Sequence, residues 1–172
     1  IDELFVLKPE HFMTIARGLI QRNYNLNIWV YARVDTVKEE YLETLKRAGF
    51  NWFALGIESG SEEIRKSMSK GRFDESEIRN VVRKIKQADI SIIGNYIFGL
   101  PEDTIETMQE TLDLAIKLNC EFANFYCAMA YPGSRLYQEA IENSWELPDS
   151  WAGYSQHAYE TLPLPTKYLS AA

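Results

Sequence analysis

The sequence predicts an α/β fold built as a partial (β/α) barrel. Three observations lead there. Strand patterns alternate with helix patterns at intervals of roughly 25–40 residues, which requires parallel strands joined by crossover helices. Several strands carry polar residues on one face near their carboxyl ends: Tyr31 with Arg33, Glu58, Asn95, and Asn124 with Tyr126. A parallel sheet buried on both faces would be apolar there, whereas a barrel interior holding a polar ligand would not. Finally, no Gly-x-Gly-x-x-Gly follows a strand and no Walker-type lysine loop is present, so a nucleotide-binding open sheet lacks its signature.

Each element has a local reason. Ile1-Asp2-Glu3 reads as the end of a strand already under way, so the chain is expected to be a piece of a longer protein. Pro9 suits a first helical turn, and Phe12, Ile15, Ala16, Leu19 and Ile20 give the helix 9–22 one apolar face. Residues 28–34 alternate as a strand. Asp35-Thr36 ends it and can cap the helix 38–48, whose face is Leu42, Leu45 and Ala48 before Gly49 stops it. Trp52 to Ile57 is a short apolar run that ends in Glu58-Ser59-Gly60 and turns at once into a helix 61–69, with Ile64 and Met68 on one side. Gly71 breaks that helix. Helix 75–88 carries Ile78, Val81, Val82 and Ile85, and residues 90–98 form a β-branched strand. Asp103 or Thr104 caps the helix 105–118, expected to bury Ile105, Met108, Leu112, Ala115 and Ile116. A strand 122–129, a turn at Tyr131-Pro132-Gly133 and a helix 134–142 follow. From Trp145 the Leu-Pro pairs rule out long helices. The tail 143–172 is therefore read as an irregular extension, with Trp145, Trp151, Tyr154 and Tyr159 tucked onto the rest.

Composition narrows the function. A formal net charge of −7 argues against a nucleic-acid surface driven by bulk charge. No apolar run is long enough to span a membrane, and a cytoplasmic protein is the default reading. Cys120 and Cys127 lack zinc or iron–sulfur spacing and read as two small buried apolar residues. His11 and His157 fit no metal or triad spacing and read as surface or helix-flank residues, so neither a catalytic residue nor a metal ligand is assigned.

Five stretches in order carry a resemblance: Asp2-Glu3, Ala32-Arg33-Val34-Asp35-Thr36, Gly56-Ile57-Glu58-Ser59-Gly60-Ser61, Gly94 through Glu102, and Tyr131-Pro132-Gly133-Ser134. Together they resemble the radical S-adenosylmethionine enzymes, nearest to the branch that often carries an N-terminal cobalamin-binding domain. The resemblance implies that residues 1–142 are the C-terminal part of a (β/α)6 TIM-like barrel, incomplete at its N-terminal side. The family's Cys-x-x-x-Cys-x-x-Cys loop, which holds a [4Fe–4S] cluster, is not in this sequence. The implied activity of the full-length protein is reductive cleavage of S-adenosylmethionine to a 5′-deoxyadenosyl radical that modifies an unknown substrate. This chain alone is expected to be inactive.

The resemblance also implies roles for residues. Asp2 and Glu3 would meet the cofactor's amino group, and Glu58 and Ser59 its ribose or amino-acid portion. Asn95 stands where the family has a first glycine. Ile97 would pack on adenine, Gly99 would admit a close backbone approach, and Glu102 would brace the turn. The backbone from Tyr126 through Ala128 to Met129 would read the adenine edge. Arg33 suits a carboxylate of cofactor or substrate, or an ion pair with Asp35 or Glu58. The expected partners are the missing N-terminal part, a cobalamin domain, and a second copy paired through an exposed strand edge. Two other readings stay open: a cluster-independent barrel enzyme using Glu58 and Arg33, and an inert barrel segment.

Overall fold

The computed structural model describes residues 4–68 and 73–171. Asp2, Glu3, Ser69 and Gly71 lie outside the described residues, and with them the proposed strand end at the N-terminus.

The chain alternates as expected. Helix α1 spans Pro9–Gln21, β1 Ile28–Arg33, α2 Glu39–Arg47, β2 Phe50–Glu58, α3 Glu62–Ser67 and α4 Glu75–Gln87. Strand β3 spans Ser91–Phe98, α5 Ile105–Leu118, β4 Phe122–Cys127 and α6 Arg135–Glu142. The strands form one parallel sheet in the order β1-β2-β3-β4. It is an open arc: among the described residues β1 and β4 stand at its edges.

The helices cover the outer side of the arc. Leu42, Leu45 and Ala48 of the α2 region and Ile78, Val82 and Ile85 of α4 are buried against Phe53, Leu55, Ile57 and Ile92. Gly49 turns the chain out of α2 at φ 94, and a Cβ there would stand 2.6 Å from the Leu26 carbonyl oxygen. Residues before α1 close one end: Phe5 stacks on Phe50 at 5.0 Å, and the Val6 N–H donates to the Tyr31 carbonyl at 3.4 Å.

Several details depart from the sequence expectation. Asp35 and Thr36 do not cap α2, whose N-cap is Lys38. They form a short 3-10 turn in which the Thr36 hydroxyl donates to the Arg33 carbonyl at 3.0 Å and accepts the Arg33 N–H at 3.1 Å. Helix α5 is capped by Thr104 as expected, but buries Thr111, Leu114, Ala115 and Leu118 while Ile105, Leu112 and Ile116 are exposed. Ile15 of α1 is exposed too. In the tail, Trp151 and Tyr159 stand in solvent. Trp145 packs with Leu136, Tyr137 and Leu147 around a small cluster of Ala130, Ala140 and Leu164.

Candidate functional site

The inner side of the arc brings the sequence-predicted polar residues to one level. Arg33 pairs in register with Gly56, Gly56 with Asn95, and Asn95 with Asn124. Residues paired directly across adjacent strands point to the same face, so all four share one side of the sheet. The Asn124 amide donates to Asn95 Oδ1 at 3.0 Å, so these two hold each other. Arg33 Nη2 pairs with Asp35 Oδ2 at 2.6 Å, with both side chains 41% exposed. A pair so open to water contributes about 0–1 kcal/mol, which leaves the guanidinium available to a ligand carboxylate.

Glu58 completes this row from the next position up. The register shifts between Gly56 and Glu58, and Glu58 adopts φ 71, a left-handed conformation unusual for a side chain of its size. Its carboxylate folds back over the strand, and a Cβ built on Gly56 would lie 3.0 Å from Glu58 Oε1. Glycine at 56 therefore gives the carboxylate its place.

The turn that follows is locked from behind. Ser59 is fully buried, and its hydroxyl lies 3.2 Å from the Thr111 hydroxyl and accepts the Ser61 N–H at 3.1 Å. The Gly60 N–H donates to Thr111 Oγ1 at 2.8 Å, and a Cβ on Gly60 would fall 2.3 Å from the Glu110 carbonyl oxygen. Arg65, 1% exposed, donates from Nη1 to the carbonyls of Ser59 at 2.7 Å and Gly60 at 3.0 Å. Its desolvation lowers the guanidinium pKa, and its charge lies 5.8 Å from the Phe73 ring centroid. Ser59 thus faces helix α5, and its hydroxyl serves the turn. The bracing residues Arg65 and Thr111 were not foreseen, since an arginine in a short helix reads as a solvated residue.

Behind the row lies a small apolar patch. Ile64, Leu100 and Ala128 are buried together, with Met68 and Ile97 packed on them. Ile97 and Ala128 thereby flank the inner face from β3 and from the end of β4. Gly99 turns the chain at φ 75 with open space around its missing Cβ, so conformation selects glycine there. The turn is braced by Asp103 in place of Glu102. Asp103, 1% exposed, accepts the Leu100 N–H at 2.8 Å and the Thr107 hydroxyl at 2.8 Å, while Glu102 pairs with Lys167 at 3.4 Å.

The four strand ends border a groove of about 1160 Å³, larger than the ~300–1,000 Å³ of usual small-molecule pockets. Arg33, Gly56, Glu58, Asn95, Ile97, Tyr126 and Ala128 line it, and so do Gln156 and His157 from the tail. His157 is exposed, as expected of a surface residue, and sits edge-on to Tyr126 at the groove, with ring centroids 6.2 Å apart. The cysteines also differ from expectation. Cys127 is exposed, whereas Cys120 is half-buried and its thiol is pushed up to about 11 by burial. Cys120 lies two residues before β4 and Cys127 is its last residue, roughly 20 Å apart for an extended chain, so they cannot share one cluster. Among the described residues no three His, Cys, Asp or Glu side chains gather as a metal site. No helix among them is long and apolar enough to cross a membrane.

An open parallel α/β arc with a polar row at its strand ends defines a candidate site of the barrel type. The family model described as the radical SAM superfamily matches residues 7–115, and the chain belongs to that superfamily. It is 30% identical over 155 residues to an uncharacterized methyltransferase, PH0819, of Pyrococcus horikoshii, covering 90% of this chain and 34% of that protein. It is 27% identical over 163 residues to bacteriochlorophyllide d C-12(1)-methyltransferase of Chlorobaculum tepidum, covering 95% of this chain and 35% of that protein. The chain therefore spans about a third of the length of these curated relatives. In fold it matches the radical S-adenosylmethionine methyltransferase TsrM of Kitasatospora setae, solved with cobalamin and a [4Fe–4S] cluster. The TM-score is 0.66 at 21% identity, covering 74% of this chain and 26% of that one.

Proposed function

We propose that the groove is the S-adenosylmethionine site of a radical SAM methyltransferase. The observation that carries this reading is the row Arg33–Gly56–Asn95–Asn124 with the Glu58 carboxylate laid over Gly56. It puts a cation, a carboxylate and two amides at one level, beside the apolar Ile97 and Ala128. That is the mix of hydrogen-bond donors and acceptors a nucleoside with an amino-acid arm requires. Glu58 takes the ribose hydroxyls through charge-assisted hydrogen bonds. Arg33 exchanges Asp35 for the ligand carboxylate, as planar guanidinium–carboxylate pairing allows. Asn95, held by Asn124, faces the sugar, Ile97 packs on adenine, and Gly99 carries the turn beside it. Tyr126 and Ala128 close the far side. Ser59 acts through the turn and does not touch the ligand.

Cys120 and Cys127 do not fit a [4Fe–4S] cluster, so its ligands lie elsewhere in the whole protein. The chemistry the bound group supplies is reductive cleavage of S-adenosylmethionine. The relatives' names and the cobalamin in the TsrM structure support methyl transfer with a cobalamin-binding partner region. The β1 and β4 edges are where further strands of the same protein, or a second copy, would pair.

S-Adenosylhomocysteine, which needs no cluster, tests the site by calorimetric titration of the chain. The expected result is saturable binding by the wild type that weakens about tenfold or more in Glu58→Ala, the scale of losing charge-assisted hydrogen bonds. Absence of binding by the wild type, or equal binding by the variant, would end this reading.

A further inference from the structure

The tail crosses the carboxyl ends of β3 and β4. Leu164 is buried with Ala130 and Ala140. The Thr166 hydroxyl donates to the Asp103 carbonyl at 2.8 Å, and the Lys167 N–H donates to the Pro101 carbonyl at 2.8 Å. Just before this anchor the chain makes a turn, with the Ala158 N–H on the Ser155 carbonyl at 3.1 Å. That turn delivers Gln156 and His157 to the groove.

Gln156 is fixed in orientation by what it touches. Its amide nitrogen donates to the Cys127 carbonyl at 3.2 Å and reaches the Tyr131 hydroxyl at 3.4 Å. A carbonyl oxygen only accepts, so the amide end on Cys127 is Nε2 and the other end is the acceptor Oε1. Among the described residues no hydrogen bond engages Oε1. Three backbone groups of the strand end, expected to read an adenine edge, are engaged by the protein itself. The Ala128 N–H donates to the Phe98 carbonyl at 2.7 Å, the Met129 carbonyl accepts the Tyr131 N–H at 3.0 Å, and the Cys127 carbonyl holds Gln156. The bond to Gln156 passes the acceptor role from the Cys127 carbonyl to the Gln156 side-chain oxygen.

We propose that Gln156 is a specificity-determining residue of the groove, its Oε1 accepting from the exocyclic amino group of the adenine of S-adenosylmethionine. This rests on the reading of the groove as an S-adenosylmethionine site. An amide oxygen held there favours adenine, which donates at its 6-position. It disfavours hypoxanthine, which presents a carbonyl oxygen at the same place and leaves two acceptors facing each other.

The test is a pair of calorimetric titrations, S-adenosylhomocysteine and S-inosylhomocysteine, on the wild-type chain, Gln156→Ala and Gln156→Met. The methionine variant keeps the length of the side chain and removes its polar end. The wild type is expected to bind the adenosyl ligand roughly tenfold more tightly, and both variants to bring the two ligands within about twofold, the scale of one neutral hydrogen bond. A variant that keeps the wild-type preference overturns the proposal. So does a variant that binds S-adenosylhomocysteine more tightly, because Gln156 would then occupy the place of adenine. If the wild type binds neither ligand, the S-adenosylmethionine reading falls and this inference falls with it. Wild-type binding with an unchanged ratio in the variants removes this inference alone.

Discussion

The carboxylate of Glu58 lies against the bare Cα of Gly56, two residues earlier on the same strand, leaving 3.0 Å between Oε1 and where a Cβ would be. Two neighbours on one face of a strand normally point side by side. Here the register shift and the left-handed Glu58 turn the second residue back over the first.

Gly56→Val should therefore remove the ligand site while sparing the fold. The next nearest protein atom to that Cβ outside Glu58 is the Ala32 carbonyl oxygen at 3.9 Å, which is ordinary contact. A β-branched residue also suits a strand. The expected outcome is a melting temperature within a few degrees of wild type. S-Adenosylhomocysteine affinity should fall about tenfold or more, as for loss of the Glu58 contacts themselves. Retained affinity would show that Glu58 does not need this position.

The turn behind Glu58 should be the least tolerant part of the site. Arg65→Met leaves the Ser59 and Gly60 carbonyls without their buried donor, and Thr111→Val removes the acceptor of the Gly60 N–H. Each should cost about 1–3 kcal/mol in urea denaturation, the range for buried polar groups left unsatisfied. A loss below about 0.5 kcal/mol in both would mean that the turn is held by backbone alone.

Much of this site is legible in the sequence because strand alternation is a strict rule. Period two groups Tyr31 with Arg33 and Asn124 with Tyr126 within their strands, and the parallel register then puts Arg33, Asn95 and Asn124 in one row. The direction of Ser59 is not legible. It sits past the bulge, where alternation no longer applies, and tertiary contact with Thr111 settles its rotamer. Helix α5 misleads for another reason. Ile105, Met108, Leu112 and Ile116 form a continuous apolar stripe, yet the helix turns Thr111, Leu114 and Leu118 toward β3. Periodicity finds a stripe but does not say which stripe the sheet covers. The tail has no periodicity at all, so its return to the groove through Gln156, Leu164 and Thr166 rests on single long-range contacts.

The two thiols should separate by reactivity. Cys127 is exposed, whereas burial raises Cys120 to about 11. At pH 8 a thiol of that pKa is only about one part in a thousand thiolate, the reactive form. Titration of the native chain with a disulfide reagent should show one fast equivalent, at Cys127, and a second only on unfolding. The same shift carries a stability consequence. The folded state holds the Cys120 proton more tightly than the unfolded chain, whose thiol titrates near 9.0. Its contribution is complete below pH 9 and is lost as pH rises toward 11. Two fast equivalents at pH 8 would contradict the burial of Cys120.

Tyr96 offers a substitution that should stabilise. Its ring is fully buried and stacks on Phe125 at 5.1 Å between centroids. Gly94 gives it room, since a Cβ there would stand 3.0 Å from both Cε2 and the hydroxyl oxygen. Among the described residues that hydroxyl has no hydrogen-bond partner. A buried polar group without a partner costs about 1–3 kcal/mol, so Tyr96→Phe keeps the ring contacts and removes the penalty. The midpoint of urea unfolding should rise with an unchanged slope. Burial also raises the Tyr96 pKa, so the folded state protects the phenol proton while the unfolded chain releases it near 10.0. Stability from this group is present below that pH and is lost as pH rises above it, and Tyr96→Phe should flatten that part of the alkaline decline. A lower midpoint in the variant would mean that the hydroxyl contributes to stability and carries no such penalty.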